Sequence, residues 1–101
     1  MTEIDMQINP GERLKAIRDE IDKIDEQIIL LWAQRNQLAA EAGTIKRYSG
    51  GTVYSHARDN EVRERFVDLG EQNGIPRDLG RLAIGTLMSA SYAVQRQPIS
   101  T

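Results

Sequence analysis

The chain has 101 residues, 40% hydrophobic, 28% charged and 5% aromatic, with a net charge of −2; this suits one soluble domain, residues 1–101, and argues against a nucleic-acid surface built on bulk positive charge. With no cysteine and a single histidine, His56, disulfide frameworks, thiolate nucleophiles and a zinc site made by this chain alone drop out, and neither metal nor cofactor is expected. No apolar run reaches the ~18 residues of a membrane span, and MTEIDMQINP has neither a basic n-region nor an apolar h-region, so the expectation is a cytoplasmic protein with no membrane contact.

Apolar residues then recur in steps of three and four: Leu14, Ile17, Ile21, Ile24, Ile28, Leu31, Leu38, Ala42 and Ile45, with one charge, Arg35, inside the stripe. Such a seam predicts a helix over about residues 11–46, its outer face carrying Lys15, Asp19, Asp22, Lys23, Glu26 and Asn36. At 1.5 Å per residue it would be roughly 50 Å long, against a diameter of about 33 Å for a compact globule of this size. An apolar stripe that overhangs its own body needs cover. A second copy about a two-fold axis supplies it, so an obligate homodimer is expected.

Tyr48-Ser49-Gly50-Gly51-Thr52 breaks the helix in a short loop. A second helix opens near Ser55, a hydroxyl suited to capping, and carries Arg58, Val62, Phe66 and Leu69 on one stripe until Gly70 or Gly74 stops it. Pro76 fits the first turn of a third helix that runs to about residue 96 with Leu79, Leu82, Ala83, Leu87, Met88 and Ser91 inward. No strand pattern appears, so the class is all-α with three helices, frayed at about 1–10 and 97–101.

Arg35 is the residue that local rules leave unexplained. A charge inside an apolar seam must be desolvated, and without a partner that costs several kcal/mol. A buried ion pair or an oligomer-specifying polar contact would satisfy it, and so would a bound anion. Lys46, eleven residues on and close to three full turns, projects from nearly the same side, and Arg58 lies on the stripe of the second helix. Such cations suit a small polyanion, the arginine fork matching a carboxylate and the lysine acting as a point charge. Arg18 also borders the seam but is 28 residues from Lys46, roughly 42 Å along one helix, so in an antiparallel dimer it would serve the partner's site.

The stretches LKAIRDEIDKIDEQIILLWAQRNQLAAEAGTIK, HARDNEVRERFVDLG and SASYAVQ together resemble the all-α chorismate mutases, intertwined helical dimers, in a register running without an evident gap from about Leu14 to Gln95. The resemblance implies an isomerase that rearranges chorismate to prephenate, on the route to aromatic amino acids, at sites shared between two protomers. Carried over residue by residue, Arg35 and the partner's Arg18 would grip the two carboxylates, with Ser91 helping at one. Lys46 and Gln95 would approach the ether oxygen of the breaking bond, and Arg58 would support the anionic site. Where many members place a Glu and, a turn earlier, an Asp near the ring hydroxyl, this chain has Asp59 and Ser55. The alternatives are sister reactions of the same fold, an isochorismate pyruvate lyase or a 4-amino-4-deoxychorismate mutase, or a weakly active domain that regulates or needs a partner enzyme.

Three further residues have plainer roles. His56, just past the cap, is expected to be solvated, Trp32 to pack at the dimer interface, and Gly43 to admit a close neighbour.

Overall fold

A computed structural model of the chain describes residues 9–96. Most of the fraying expected at the two ends falls on residues 1–8 and 97–101, outside the described residues. Three helices follow in order, α1 (Pro10–Tyr48), α2 (His56–Gln72) and α3 (Arg77–Arg96), with no strand among the described residues. The all-α, three-helix class expected from the periodicity is the class observed.

Each boundary has a local cause. Asn9 caps α1 through its side-chain oxygen, which accepts the Glu12 N–H at 3.1 Å, and Pro10 follows as a first helical residue with no N–H to satisfy. At the other end Gly50 takes a φ of 77° while Gly51 donates its N–H to the Lys46 carbonyl at 2.8 Å. Ser55, in extended backbone, caps α2 by accepting the Arg58 N–H at 3.3 Å. Of the two glycines that could stop α2, the stop belongs to Gly74, whose φ is 83°; Gly70 lies within the helix, where a Cβ would already meet Ile75 at 3.5 Å. Pro76 stands one residue before α3 and accepts the Gly80 N–H at 3.0 Å.

The chain divides into two compact units, Met1–Ala33 and Gln34–Thr101. In the first, the seam residues Leu14, Ile21, Ile24, Ile28 and Leu31 are exposed, as are their neighbours Ile29 and Leu30. Ile17 and Trp32 are half-buried. Among the described residues no helix is long and apolar enough to cross a membrane.

In the second unit α2 packs on α3 around Val67, Ile84 and Met88. The buried stripes differ from those expected. On α2 they centre on Asp59 and Val67, with Val62 and Phe66 half-buried, whereas Arg58 and Leu69 face outward. On α3 the buried face is Gly80, Ile84, Met88, Ser91 and Gln95, while Leu79, Leu82 and Ala83 are exposed and Leu87 is half-buried. Gly80 sits at this contact, where a Cβ would lie an ordinary packing distance, 3.6 Å, from the Val67 Cα. The two helices meet along the Gly80, Ile84 and Met88 face and not along the one with the most leucines. Arg77 ties the start of α3 to α2 through Asp68 at 3.0 Å, with Glu71 and Glu64 at 3.5 and 3.7 Å.

Candidate active site

A cavity of about 290 Å³ lies within the second unit. The last turns of α1 line it with Arg35, Leu38, Ala39, Ala42 and Lys46, the loop and the start of α2 with Val53, Ser55, Arg58 and Val62, and α3 with Met88, Ser91, Tyr92 and Gln95. Its walls are apolar and its polar groups are mostly donors, the arrangement expected of a pocket that orients an anionic ligand.

Arg35 is half-buried, and among the described residues no carboxylate comes within ion-pair distance of it. Its guanidinium donates to neutral atoms only: the Ser91 Oγ, the Leu87 carbonyl at 3.2 Å and the Met88 sulfur at 3.5 Å. Ser91 passes its own proton to the Leu87 carbonyl at 3.0 Å, so its oxygen is free to accept from the arginine. Burial holds the guanidinium below its usual pKa, and repulsion from Arg58 adds to this. Both causes penalise the charge, and a bound anion would relieve both.

Lys46 and Gln95 form a second pair. The ammonium donates to the Gln95 Oε1 at 3.3 Å and to the Val53 carbonyl at 3.1 Å. Because a lysine can only donate, the buried amide must turn its oxygen toward Lys46, which leaves its N–H₂ group to donate elsewhere. Gly43 makes the pairing possible. A Cβ at this position would stand 2.9 Å from the Gln95 Cα and 3.0 Å from its Cβ, closer than side chains tolerate. Arg47 closes the same corner by donating to the Gln95 carbonyl.

Six of the eight residues expected at the site thus line one cavity: Arg35, Lys46, Ser55, Arg58, Ser91 and Gln95. Arg58 is exposed and pairs with Glu61 one turn on. Asp59 is not in the lining. It is 7% exposed, and both of its oxygens are engaged, one by the Arg63 Nε at 2.8 Å and the other by the Tyr92 hydroxyl at 2.7 Å. The hydrogen bond from Arg63, then that from Tyr92, holds its carboxyl below the usual range. Arg18 belongs to the first unit, where it is exposed. His56 is exposed, its ring nitrogens within hydrogen-bond reach of Tyr54 and Asn60 at 3.2 and 3.3 Å.

Tyr92 is the polar lining residue that sequence reasoning passed over. Burial and then the bond to Asp59 push its phenol up to about 12, so it stays protonated. Its ring also packs against Tyr54 at 5.7 Å. The available signal was its place in SASYAVQ, between Ser91 and Gln95 on one helical turn.

Fold and cavity together describe a small all-α protein with a pocket lined by cations and an oriented amide on apolar walls. Comparison with known proteins supplies the family. The chorismate mutase type II family pattern matches residues 17–96. A chorismate mutase of Methanocaldococcus jannaschii is 30% identical over 86 residues, 85% of this chain and 87% of that protein. The T-protein of Haemophilus influenzae is 33% identical over 86 residues, and there the chain spans 23% of the relative's length. A bifunctional chorismate mutase/prephenate dehydratase of Aquifex aeolicus is 36% identical over 61 residues, 60% of this chain and 17% of that protein. The chain belongs to the chorismate mutase type II family, and by class it is an isomerase.

Proposed function

We propose that this chain, as one helical domain, rearranges chorismate to prephenate at the cavity of its second unit. One observation carries the assignment: Arg35, half-buried without a carboxylate partner among the described residues, shares a wall with Lys46 and an oriented Gln95. In the rearrangement a carbon–oxygen ether bond breaks as a carbon–carbon bond forms within one molecule, so no proton or nucleophile has to be supplied. Catalysis then consists of holding a flexible dicarboxylate in its reactive chair and stabilising charge at the ether oxygen.

Arg35, with Ser91 aligning its fork, binds one carboxylate, and Arg58 adds to the positive field. The Lys46 ammonium and the free N–H₂ of Gln95 donate to the ether oxygen as it gains charge. Removing one such donor typically costs about 2.7–4 kcal/mol of transition-state stabilisation. Arg18 of the partner subunit takes the second carboxylate in an intertwined homodimer. Exposed Ile21, Ile24, Ile28 and Leu31 support that dimer, since a stripe of this kind in water is an interface without its partner. The same assignment puts the enzyme in the cytoplasm, on the route to aromatic amino acids. The Aquifex relative's joint name makes a partner enzyme acting on prephenate a natural neighbour.

A neutral Ser55 in the lining and an Asp59 engaged elsewhere keep the sister reactions in view, because those substrates differ at the ring substituent. Incubating the pure protein separately with chorismate, isochorismate and 4-amino-4-deoxychorismate, and identifying the products, tests the assignment. Prephenate from chorismate is expected. Salicylate with pyruvate, a rearranged amino product alone, or no turnover would replace it by the lyase, the amino mutase or a regulatory domain.

A further inference from the structure

Once the carboxylates and the ether oxygen of chorismate have been assigned partners, its ring hydroxyl still lacks one. This step rests on the proposed mutase function. Arg35, Lys46, Arg58, Ser91 and Gln95 are taken by the other groups, and the polar lining residues that remain are Ser55 and Tyr92. Asp59 lies outside the lining with both oxygens occupied. Tyr92, by contrast, is held from several sides, by Asp59 at its hydroxyl, by the Tyr54 ring, and by the Arg96 guanidinium 6.0 Å from its ring centroid.

We infer that Tyr92 determines specificity at the ring-substituent end of the substrate, and that Asp59 is a positioning residue which fixes the direction of the Tyr92 hydrogen bond. The phenol's one proton goes to Asp59 at 2.7 Å. What Tyr92 offers a ligand is therefore a lone pair, an acceptor that selects a substituent able to donate. Arg63 keeps this arrangement in place, because its Nε claims the other Asp59 oxygen and prevents the carboxylate from turning. A phenol that stays protonated to about 12 keeps the same polarity at any working pH.

The polarity can be reversed with one atom. In Asp59→Asn the single amide oxygen must serve Arg63, which can only donate, so the amide N–H₂ faces Tyr92 and donates to it. The Tyr92 proton is then released toward the cavity. A ring hydroxyl tolerates the change because it can both accept and donate. An ammonium group in its place only donates, and it would be repelled.

The test measures chorismate kinetics, together with competitive inhibition by 4-amino-4-deoxychorismate, for wild type, Tyr92→Phe, Asp59→Asn and the double variant. Thermal melts confirm folding. Tyr92→Phe should raise KM for chorismate by roughly five- to tenfold, about one hydrogen bond's worth, while kcat stays within threefold. Asp59→Asn should weaken the amino ligand at least fivefold more than it raises KM for chorismate. In the Tyr92→Phe background the same change should have no further effect on either. An unchanged KM in Tyr92→Phe would overturn the specificity role even if Asp59→Asn fails to fold. A loss from Asp59→Asn that persists without the phenol would mean that Asp59 meets the substrate directly, overturning the positioning role. Wild type inactive on chorismate would instead remove the mutase function, and this inference with it.

Discussion

The residues of α1 before and after Ala33 carry the same three-and-four apolar register, yet they end in different circumstances. Before it, Ile21, Ile24, Ile28 and Leu31 stand 49–63% exposed, and the seam carries no charge. After it, Leu38 and Ile45 are also exposed, but Arg35, Gly43 and Lys46 meet α3 or the cavity. An apolar stripe thus makes a surface whether or not the chain covers it. A site arises where the stripe is interrupted by a charge and a glycine that a neighbouring helix can reach.

The comparison breaks most completely at Ile28. If a second copy covers the first unit, Ile28→Asp should abolish the dimer and with it all activity, as light scattering and a prephenate assay would show. A variant that stays dimeric and active would mean that the exposed stripe has another use. The proposed sharing of a site between two protomers can be tested on the same footing. Arg18→Ala and Arg35→Ala should each be nearly inactive, and refolding an equal mixture should restore about a quarter of wild-type activity, one intact site of two in half the dimers. No recovery, with chain exchange confirmed by mass spectrometry, would put both arginines in one chain's site.

Arg35→Leu should separate the functions of the two regions. kcat/KM is expected to fall by about 100- to 1,000-fold as a charged anchor is lost. The melting temperature should hold or rise, because a desolvated charge without a carboxylate is replaced by an apolar side chain. A destabilised variant with unchanged specific activity would make Arg35 a structural residue. Gly43→Ala is milder. Forcing Gln95 aside should lower kcat by about 10- to 100-fold, with smaller effects on KM, and cost about 1–3 kcal/mol of stability from overpacking. Full activity in that variant would free Gln95 from the ether oxygen.

The smallest effect lies in the pH dependence of stability. Tyr92 ionises near 10 when unfolded and near 12 when folded, so its contribution is complete below pH 10 and disappears as pH rises through 12. Wild type should lose stability relative to Tyr92→Phe across that window in denaturant titrations. For Asp59, whose folded pKa is depressed, the sign is opposite. Its contribution holds above the ordinary carboxylate range and is lost as pH falls below it.

Periodicity carried the helices, because a buried face repeats every 3.6 residues whatever covers it. The capping residue Ser55 and the anomalous Arg35 were equally legible, one from local hydrogen-bonding chemistry and the other from the cost of an unpaired buried charge. Ser91 and Gln95 were legible only through family resemblance, since a serine and a glutamine one turn apart are an ordinary polar stripe on most helices. On α3 Met88 and Ser91 are inward as the pattern has them, but Leu79, Leu82 and Ala83 are not, because which side of a helix is buried depends on the helix packed against it.

What the sequence determined by itself was thus the class, the three helices, the cationic character of the site and the family. Tertiary structure decided which side of each helix is buried, that Gly43 brings Gln95 to Lys46, and that Asp59 turns to Arg63 and Tyr92. The reason is physical. Periodicity and capping act within a few residues, whereas a hydrogen bond such as that from Tyr92 to Asp59, 33 positions apart, depends on how closely two helices approach and on which donor reaches a shared acceptor first.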